Sequence, residues 1–274
     1  MEIKLSLEEF TDDELYSKKL KSVRLAGLRN VKARRTVYSY KTKVVKSGNV
    51  YEVYNYQNRR FKGYTGLNTT GRVGKGSADK DGNRDKVLYR ARRDIRNIVN
   101  ANFSPGAKFL TLTFRDNVTD IAEANNEFKC FVDRVNYHVF KTKKRVLKYT
   151  VVPETQKRGA IHFHVVCYNL PYVDVNWLAE IWGNGYIKLN RIEHVDNVGA
   201  YICKYLSKEE CESFRGKKCY FNSRNLDKPI EITQEKKVNE VLQHLTNLNP
   251  KINKSYNNEY TGDVSYRQYV DVRG

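Results

Sequence analysis

The spacing of apolar positions changes several times along this chain, and each change predicts an element. Apolar and polar residues alternate through Thr36-Val-Tyr-Ser-Tyr-Lys-Thr-Lys-Val-Val45 and again through Val50-Tyr-Glu-Val-Tyr-Asn-Tyr56. Ser47-Gly-Asn49 separates the two runs, which predicts a β-hairpin with Gly48-Asn49 in the turn. From Arg84 to Asn100 the spacing becomes helical, with Val87, Leu88, Ala91, Ile95, Ile98 and Val99 recurring on one stripe. Lys108–Phe114 sets Leu110, Leu112 and Phe114 against Phe109, Thr111 and Thr113, the signature of a strand. A helix follows over about 120–140, starting near Thr119 or Asp120, with Ile121, Ala124, Phe128, Phe131, Val132 and Val135 as its stripe. Arg145–Val152 and Ala160–Tyr168 read as strands joined by the turn Pro153–Gly159. Asp174 caps a short helix carrying Trp177, Leu178, Ile181 and Trp182, and Gly183-Asn-Gly185 ends it. Tyr186–Ile192 is a further strand, and Val195–Lys208 a helix.

The order β-α-β-β-α-β-α predicts an α+β fold, an antiparallel sheet covered by helices on one face. Its connections are too irregular for a parallel doubly wound sheet. Three segments follow: an N-terminal extension at 1–83, a core at 84–210 and a C-terminal extension at 211–274. Residues 1–16 are an acidic leader, and 65–86, rich in Gly, Thr and Asp, read as a linker. Residues 210–232 are irregular or β. Gln234–Leu248 is a helix with Val238, Val241, Leu242, Leu245 and Leu248 on one side. The tail from Asn249 carries Tyr256, Tyr260, Tyr266 and Tyr269 and suggests no chemical role.

Composition permits a sizeable core: 40% of the 274 residues are hydrophobic and 30% charged. Charge changes the picture more. Between Lys18 and Arg96, 23 Lys and Arg stand against 5 Asp and Glu, a balance of +18 out of the chain's +19. So dense a basic block repels itself unless it meets a polyanion. Nucleic acid is favoured over an anionic membrane surface, because no basic amphipathic helix with a Trp/Leu face accompanies the charge. The tyrosines of the predicted hairpin are interleaved with lysines, a pattern that stacks bases while contacting phosphates and that ordinary half-buried hairpins also show. Arg90, Arg92, Arg93 and Arg96 decorate the helix at 84–100 either as a solvated face or as DNA-backbone contacts. No run approaches 18 apolar residues, and the N-terminus lacks a basic start and an apolar stretch, so neither a membrane span nor a signal peptide is expected. Five cysteines, odd in number and without a CxxC pair, fit a reduced cytoplasmic protein. Gly71-Arg-Val-Gly-Lys-Gly-Ser77 has the wrong spacing for a phosphate-binding loop, which excludes an ATPase of that type.

Two short stretches carry the candidate chemistry. In Lys157-Arg-Gly-Ala-Ile-His-Phe-His-Val-Val-Cys167, His162 and His164 stand two apart on a strand and share a face, while Ile161, Phe163, Val165 and Cys167 point to the core. Two imidazoles on one face can hold a divalent cation, although exposed strand histidines also occur without one. A third ligand would come from Glu154, just before the turn that reverses the chain, or from Gln156. Two histidines and a carboxylate leave coordination positions open, as a catalytic metal requires. The second stretch, Val198-Gly-Ala-Tyr-Ile-Cys-Lys-Tyr-Leu-Ser-Lys208, puts Tyr201 and Tyr205 four apart, and Lys204 and Lys208 likewise. A nearby cation favours phenolate, a metal polarises the electrophile, and attack on a phosphodiester conserves the broken bond as a phosphotyrosine. Phenols and lysines at this spacing are also common at the edge of a core.

Taken together, Phe109-Leu-Thr-Leu-Thr113, Arg158-Gly-Ala-Ile-His-Phe-His164 and Gly199-Ala-Tyr-Ile-Cys-Lys-Tyr-Leu-Ser-Lys208 resemble, in order and spacing, the three motifs of the HUH endonucleases, here the rolling-circle replication initiators of phages and plasmids. The resemblance covers about 107–210. It implies a five-stranded antiparallel sheet, of ferredoxin or RRM type, with the histidine strand at its centre. It implies Mg²⁺ or Mn²⁺ held by His162, His164 and Glu154, and single-stranded or hairpin origin DNA as substrate. Tyr201 matches the nucleophile, and Tyr205 the second nucleophile of the two-tyrosine branch, although a tyrosine there can also be a packing residue. Lys204 would orient the phenol or the phosphate. Arg90, Arg93, Arg96, Arg158 and Lys208 are the candidate DNA contacts. A host helicase and replication machinery in a bacterial cytoplasm are the implied partners, with no membrane. A relaxase or a single-strand transposase would use the same site. A non-catalytic nucleic-acid-binding module would use the sheet without the tyrosines.

Overall fold

The computed structural model describes residues 38–62, 80–192, 198–206, 219–258 and 261–271. The acidic leader, the basic stretch before Tyr38, most of the proposed linker with its glycine-rich run, Lys208 and residues 210–218 lie outside them. The described chain forms two compact units.

The larger unit runs from residue 80 to 230 and carries a five-stranded antiparallel sheet. Its elements are α1 (Lys80–Asn102), β3 (Lys108–Phe114), α2 (Ile121–His138), β4 (Tyr149–Thr155), β5 (Ile161–Cys167), α3 (Val175–Trp182), β6 (Gly185–Arg191), α4 (Val198–Ile202) and the two-residue β7 (Phe221–Asn222). The strand order is β6-β3-β5-β4-β7, so the histidine strand β5 is central. The α+β class and the antiparallel five-stranded sheet expected from the pattern are therefore both present.

Alternation along the strands builds two cores. Leu110, Leu112 and Phe114 of β3, with Phe163, Val165 and Cys167 of β5, pack against Phe128, Phe131 and Val135 of α2 and Leu178 and Trp182 of α3. The other face, expected to lack helices, also carries them: Phe109, Val152 and Val166 pack against Ile95 and Val99 of α1 and against Ile202 and Leu206. The reason is that the second face is apolar wherever it is not His162, His164 or Glu154, and exposed apolar area of that kind needs cover.

Several ends are set as the sequence suggests. The Asp120 carboxylate accepts from the Ala122 amide, and Asp174 accepts from Asn176 and Trp177 at 2.9 and 3.0 Å. Gly183 ends α3 at φ +72°, a left-handed conformation that suits glycine. The strand expected from Arg145 begins only at Tyr149. Its first residues bond instead to Asn136, whose buried carboxamide oxygen accepts from Val146 and Leu147 while its nitrogen donates to Val132.

The smaller unit is a second sheet, of order β8-β1-β2-β10-β9. It joins the hairpin of β1 (Tyr38–Ser47) and β2 (Val50–Lys62) to β8 (Ile230–Ile232) and to the C-terminal hairpin of β9 (Ile252–Asn258) and β10 (Gly262–Val270). Helix α5 (Glu235–Leu245) buries Val238 and Leu245 against Val44, Tyr51, Val53 and Tyr269. The N- and C-terminal stretches, separate in the sequence, thus share one sheet. Among the described residues no helix is long and apolar enough to cross a membrane.

The Asn136 contacts give a direct test. Asn136→Ala leaves two loop amides without their acceptor and is expected to cost about 2–4 kcal/mol in urea unfolding. A loss under about 0.5 kcal/mol would show that the loop at 145–148 does not depend on it.

Candidate active site

The site is assembled from β4, β5, β3 and the tyrosine segment. Strands β4 and β5 pair so that Glu154 lies opposite His162 and Val152 opposite His164. All three polar groups project on the same side of the sheet, and the chain reversal at Gly159, φ +87°, brings the carboxylate there. One donor atom from each of Glu154, His162 and His164 lies within 4.8 Å of the other two. His164, 5% exposed, makes a 2.5 Å hydrogen bond from Nε2 to Oε2 of Glu154, and its Nδ1 is 3.4 Å from the Thr111 hydroxyl. His162 Nε2 is buried and has no hydrogen-bond partner.

This donor set fits a divalent cation. A buried imidazole nitrogen without a partner is costly unless something takes its lone pair, and a neighbouring carboxylate supplies compensating charge. Burial pushes the pKa of His162 below the ordinary histidine value, with His164 adding to the shift, Glu154 opposing it and Arg158 adding a little more. Burial does the same to His164, against its bond to Glu154. Both imidazoles are therefore neutral at pH 7, the form that binds metal. Gln156, the other candidate ligand, accepts from Arg158 Nε at 3.1 Å instead. Arg158 also donates to the Phe114 carbonyl at 2.8 Å, so it braces the turn beside the cluster.

The tyrosines come from α4 and the tight turn after it. The helix expected over Val195–Lys208 is α-helical only at Val198–Ile202 among the described residues; Cys203–Tyr205 form a 3₁₀ turn, and the backbone leaves the helix at Leu206. Helix α1 imposes this. Arg92 Nε donates to the Leu206 carbonyl at 3.0 Å, and a tightened last turn is a common way to end a helix. Gly199 lets α4 approach α1: a Cβ there would lie 2.7 Å from the Arg96 Cα and carbonyl oxygen.

Despite the changed backbone, Tyr201 and Tyr205 stay together, with hydroxyls 3.4 Å apart. The Tyr205 ring lies parallel to His164, centroids 3.6 Å apart and planes 16° apart. Phe109 meets Tyr201 edge-on at 5.3 Å and lies beside Tyr205 and His164 at 5.9 and 5.8 Å. Burial pushes the Tyr205 phenol above its ordinary value, and Tyr201 and Glu154 push the same way. Exposed Lys204 holds its ammonium 5.0 Å from the Tyr201 ring centre.

Of the proposed DNA contacts, Arg90 is exposed, Arg93 pairs with Asp94 at 3.2 Å, and Arg96 is half-buried beside Gly199. Arg92, Gly199 and Phe109 position the tyrosine segment and lie outside the set of candidate site residues. Only Gly199, a glycine inside a helical pattern, carries a sequence signal of close approach.

Comparison with known proteins agrees with this placement. Residues 107–210 match the family model of the replication-associated protein ORF2 and its relatives. The chain is 30% identical over 138 residues to the Phasyl DNA replicon protein arp of Escherichia coli, covering 39% of this chain and 46% of that protein. The chain thus spans less than half the length of the curated relative it matches. No solved structure matches.

Two outcomes follow. His162→Ala and Glu154→Gln are expected to weaken Mn²⁺ binding, measured by calorimetry, by about a hundredfold or more, and Gln156→Ala by no more than about twofold. Equal losses in all three would contradict the assignment of Glu154. Gly199→Ala is expected to lower thermal stability by about 1–3 kcal/mol, through a Cβ forced against α1; unchanged stability would show that α4 does not pack as closely as described.

Proposed function

We propose that this chain initiates replication as an endonuclease, nicking and rejoining single-stranded origin DNA through a 5′-phosphotyrosine. The observation that carries the reading is the placement of two phenol hydroxyls on a segment stacked directly against one histidine of a Glu154–His162–His164 cluster. The match of residues 107–210 to a replication-associated family and the likeness to a replicon protein support replication over a relaxase or transposase role.

Glu154, His162 and His164 would hold Mg²⁺ or Mn²⁺, which when bound draws charge from a phosphodiester oxygen. The Tyr201 oxygen attacks the phosphorus in line. The new bond is tyrosine O–P, and the bond broken is P–O3′. The phenol proton passes to solvent, and the departing 3′ oxygen takes one up, leaving a free 3′-OH that can prime synthesis. Lys204, beside Tyr201, favours the phenolate and steadies charge on the phosphate. After one round Tyr205 would cut the regenerated origin, and the 3′-OH would reverse the first step. Arg90, Arg93, Arg96, Arg158 and Lys208 are proposed to contact the DNA backbone, and a host helicase is proposed to open the duplex ahead.

A labelled hairpin oligonucleotide incubated with the protein and Mn²⁺ tests the proposal by denaturing gel. Wild type is expected to form a covalent adduct, Tyr201→Phe to fall to background, and Tyr205→Phe to keep the first cut while losing termination. Equal loss of the first cut in both variants would remove the distinction between the tyrosines. No adduct with any divalent metal would favour a binding module without catalysis.

A further inference from the structure

The second sheet carries an array of rings that the nicking chemistry does not use. Helix α5 covers one side of this sheet through Val44, Tyr51, Val53 and Tyr269. Tyr54, Tyr56 and Tyr266 alternate with those positions and project to the other side. There the rings form a chain across three neighbouring strands. Tyr38 lies 6.5 Å from Tyr40, Tyr40 lies 6.2 Å from Tyr56, Tyr56 lies 6.4 Å from Tyr54, and Tyr54 lies 5.0 Å from Tyr266. Tyr54 and Tyr56 are nearly parallel, 8° apart.

Cations sit among the rings. Lys43 Nζ is 4.8 Å from the centre of Tyr54, and the Arg60 guanidinium 5.6 Å from that of Tyr56. Across β1 and β2 six basic residues stand against the single acidic Glu52. Glu231 of the edge strand β8 pairs with Lys62 at 2.9 Å. Burial pushes the Tyr56 phenol well above its ordinary value and raises that of Tyr40, so these rings stay neutral at pH 7. Purely structural packing needs no such cations: an apolar sheet face is most simply covered by aliphatic side chains, as α5 covers the opposite side.

We infer that the Tyr38–Tyr40–Tyr56–Tyr54 face of the second sheet is a platform for single-stranded DNA, with unstacked bases lying on the tyrosines and phosphates meeting Arg60, Lys43 and their basic neighbours. Every base has a π face and every nucleotide a phosphate, so alternating rings and cations suit a strand of any sequence, while a duplex keeps its bases stacked on each other. This deepens the proposed function by giving the displaced or origin strand a holding surface apart from the nicking tyrosines, and its binding does not depend on catalysis.

The test uses the full chain and reads the anisotropy of a fluorescent oligo-dT too short to fold. Tyr40→Leu and Tyr56→Leu are each expected to weaken binding about tenfold, Tyr40→Phe and Tyr56→Phe to leave it near wild type, and Arg60→Gln to reduce its salt dependence. Thermal melting checks that each variant is folded, and where a leucine variant unfolds, Arg60→Gln and Lys43→Gln carry the test. Adduct formation at saturating hairpin DNA should persist in the leucine variants. Unchanged oligo-dT affinity in folded variants would overturn the platform, as would an equal loss for duplex DNA. Absence of any adduct in wild type would count against the nicking reading alone.

Discussion

The parallel contact between the His164 and Tyr205 rings is the constraint on which the candidate site depends. It joins a strand of the central sheet to a segment almost forty residues later, and it forms only because two separate conditions hold. Gly199 allows α4 to lie against α1 with no Cβ between them, and Arg92 of α1 holds the carbonyl of Leu206 where the helix ends. Helix α1 is thus less a DNA-facing rod than a brace. Its apolar residues Ile95 and Val99 are fully buried, and its arginines are partly taken up in fixing the segment that carries Tyr201 and Tyr205.

The cluster beneath the tyrosines shows how a sheet can be both core and site. Along β5 alternate residues go to opposite faces, so Phe163 and Val165 fill one core while His162 and His164 stand on the other face. Glu154 joins them through strand register, since the pairing of β4 with β5 sets it directly opposite His162. The resulting histidines are desolvated and neutral, and one buried nitrogen is left without a partner. Such an arrangement costs stability in the isolated protein, a cost offset when a cation enters.

Much of this was legible in the sequence because it is local. The period-two alternation of Lys108–Phe114, the reversal at Pro153–Gly159 and the stripe on α2 each depend on near neighbours, and the strands, the shared face of His162 and His164, and the reach of Glu154 follow from them. What was not legible depends on distant contacts. The helix at 195–208 is cut short by an arginine more than a hundred residues earlier. The strand expected at Arg145 gives way to the side chain of Asn136. The second face of the sheet gains helices because Phe109, Val152 and Val166 supply apolar area that only the assembled sheet brings together. The C-terminal tyrosines, which suggested nothing by themselves, find their place only when β10 pairs beside β2 and Tyr266 meets Tyr54.

The central claim is that the Glu154–His162–His164 cluster and the Tyr201–Tyr205 segment act on one phosphate. Anomalous diffraction from crystals grown with Mn²⁺ and a non-cleavable single-stranded oligonucleotide addresses it directly. The account predicts one manganese peak bonded to all three side chains and to a phosphate oxygen, with the Tyr201 hydroxyl facing that phosphorus. Manganese bound elsewhere, or a phosphate held out of reach of both tyrosines, would contradict it.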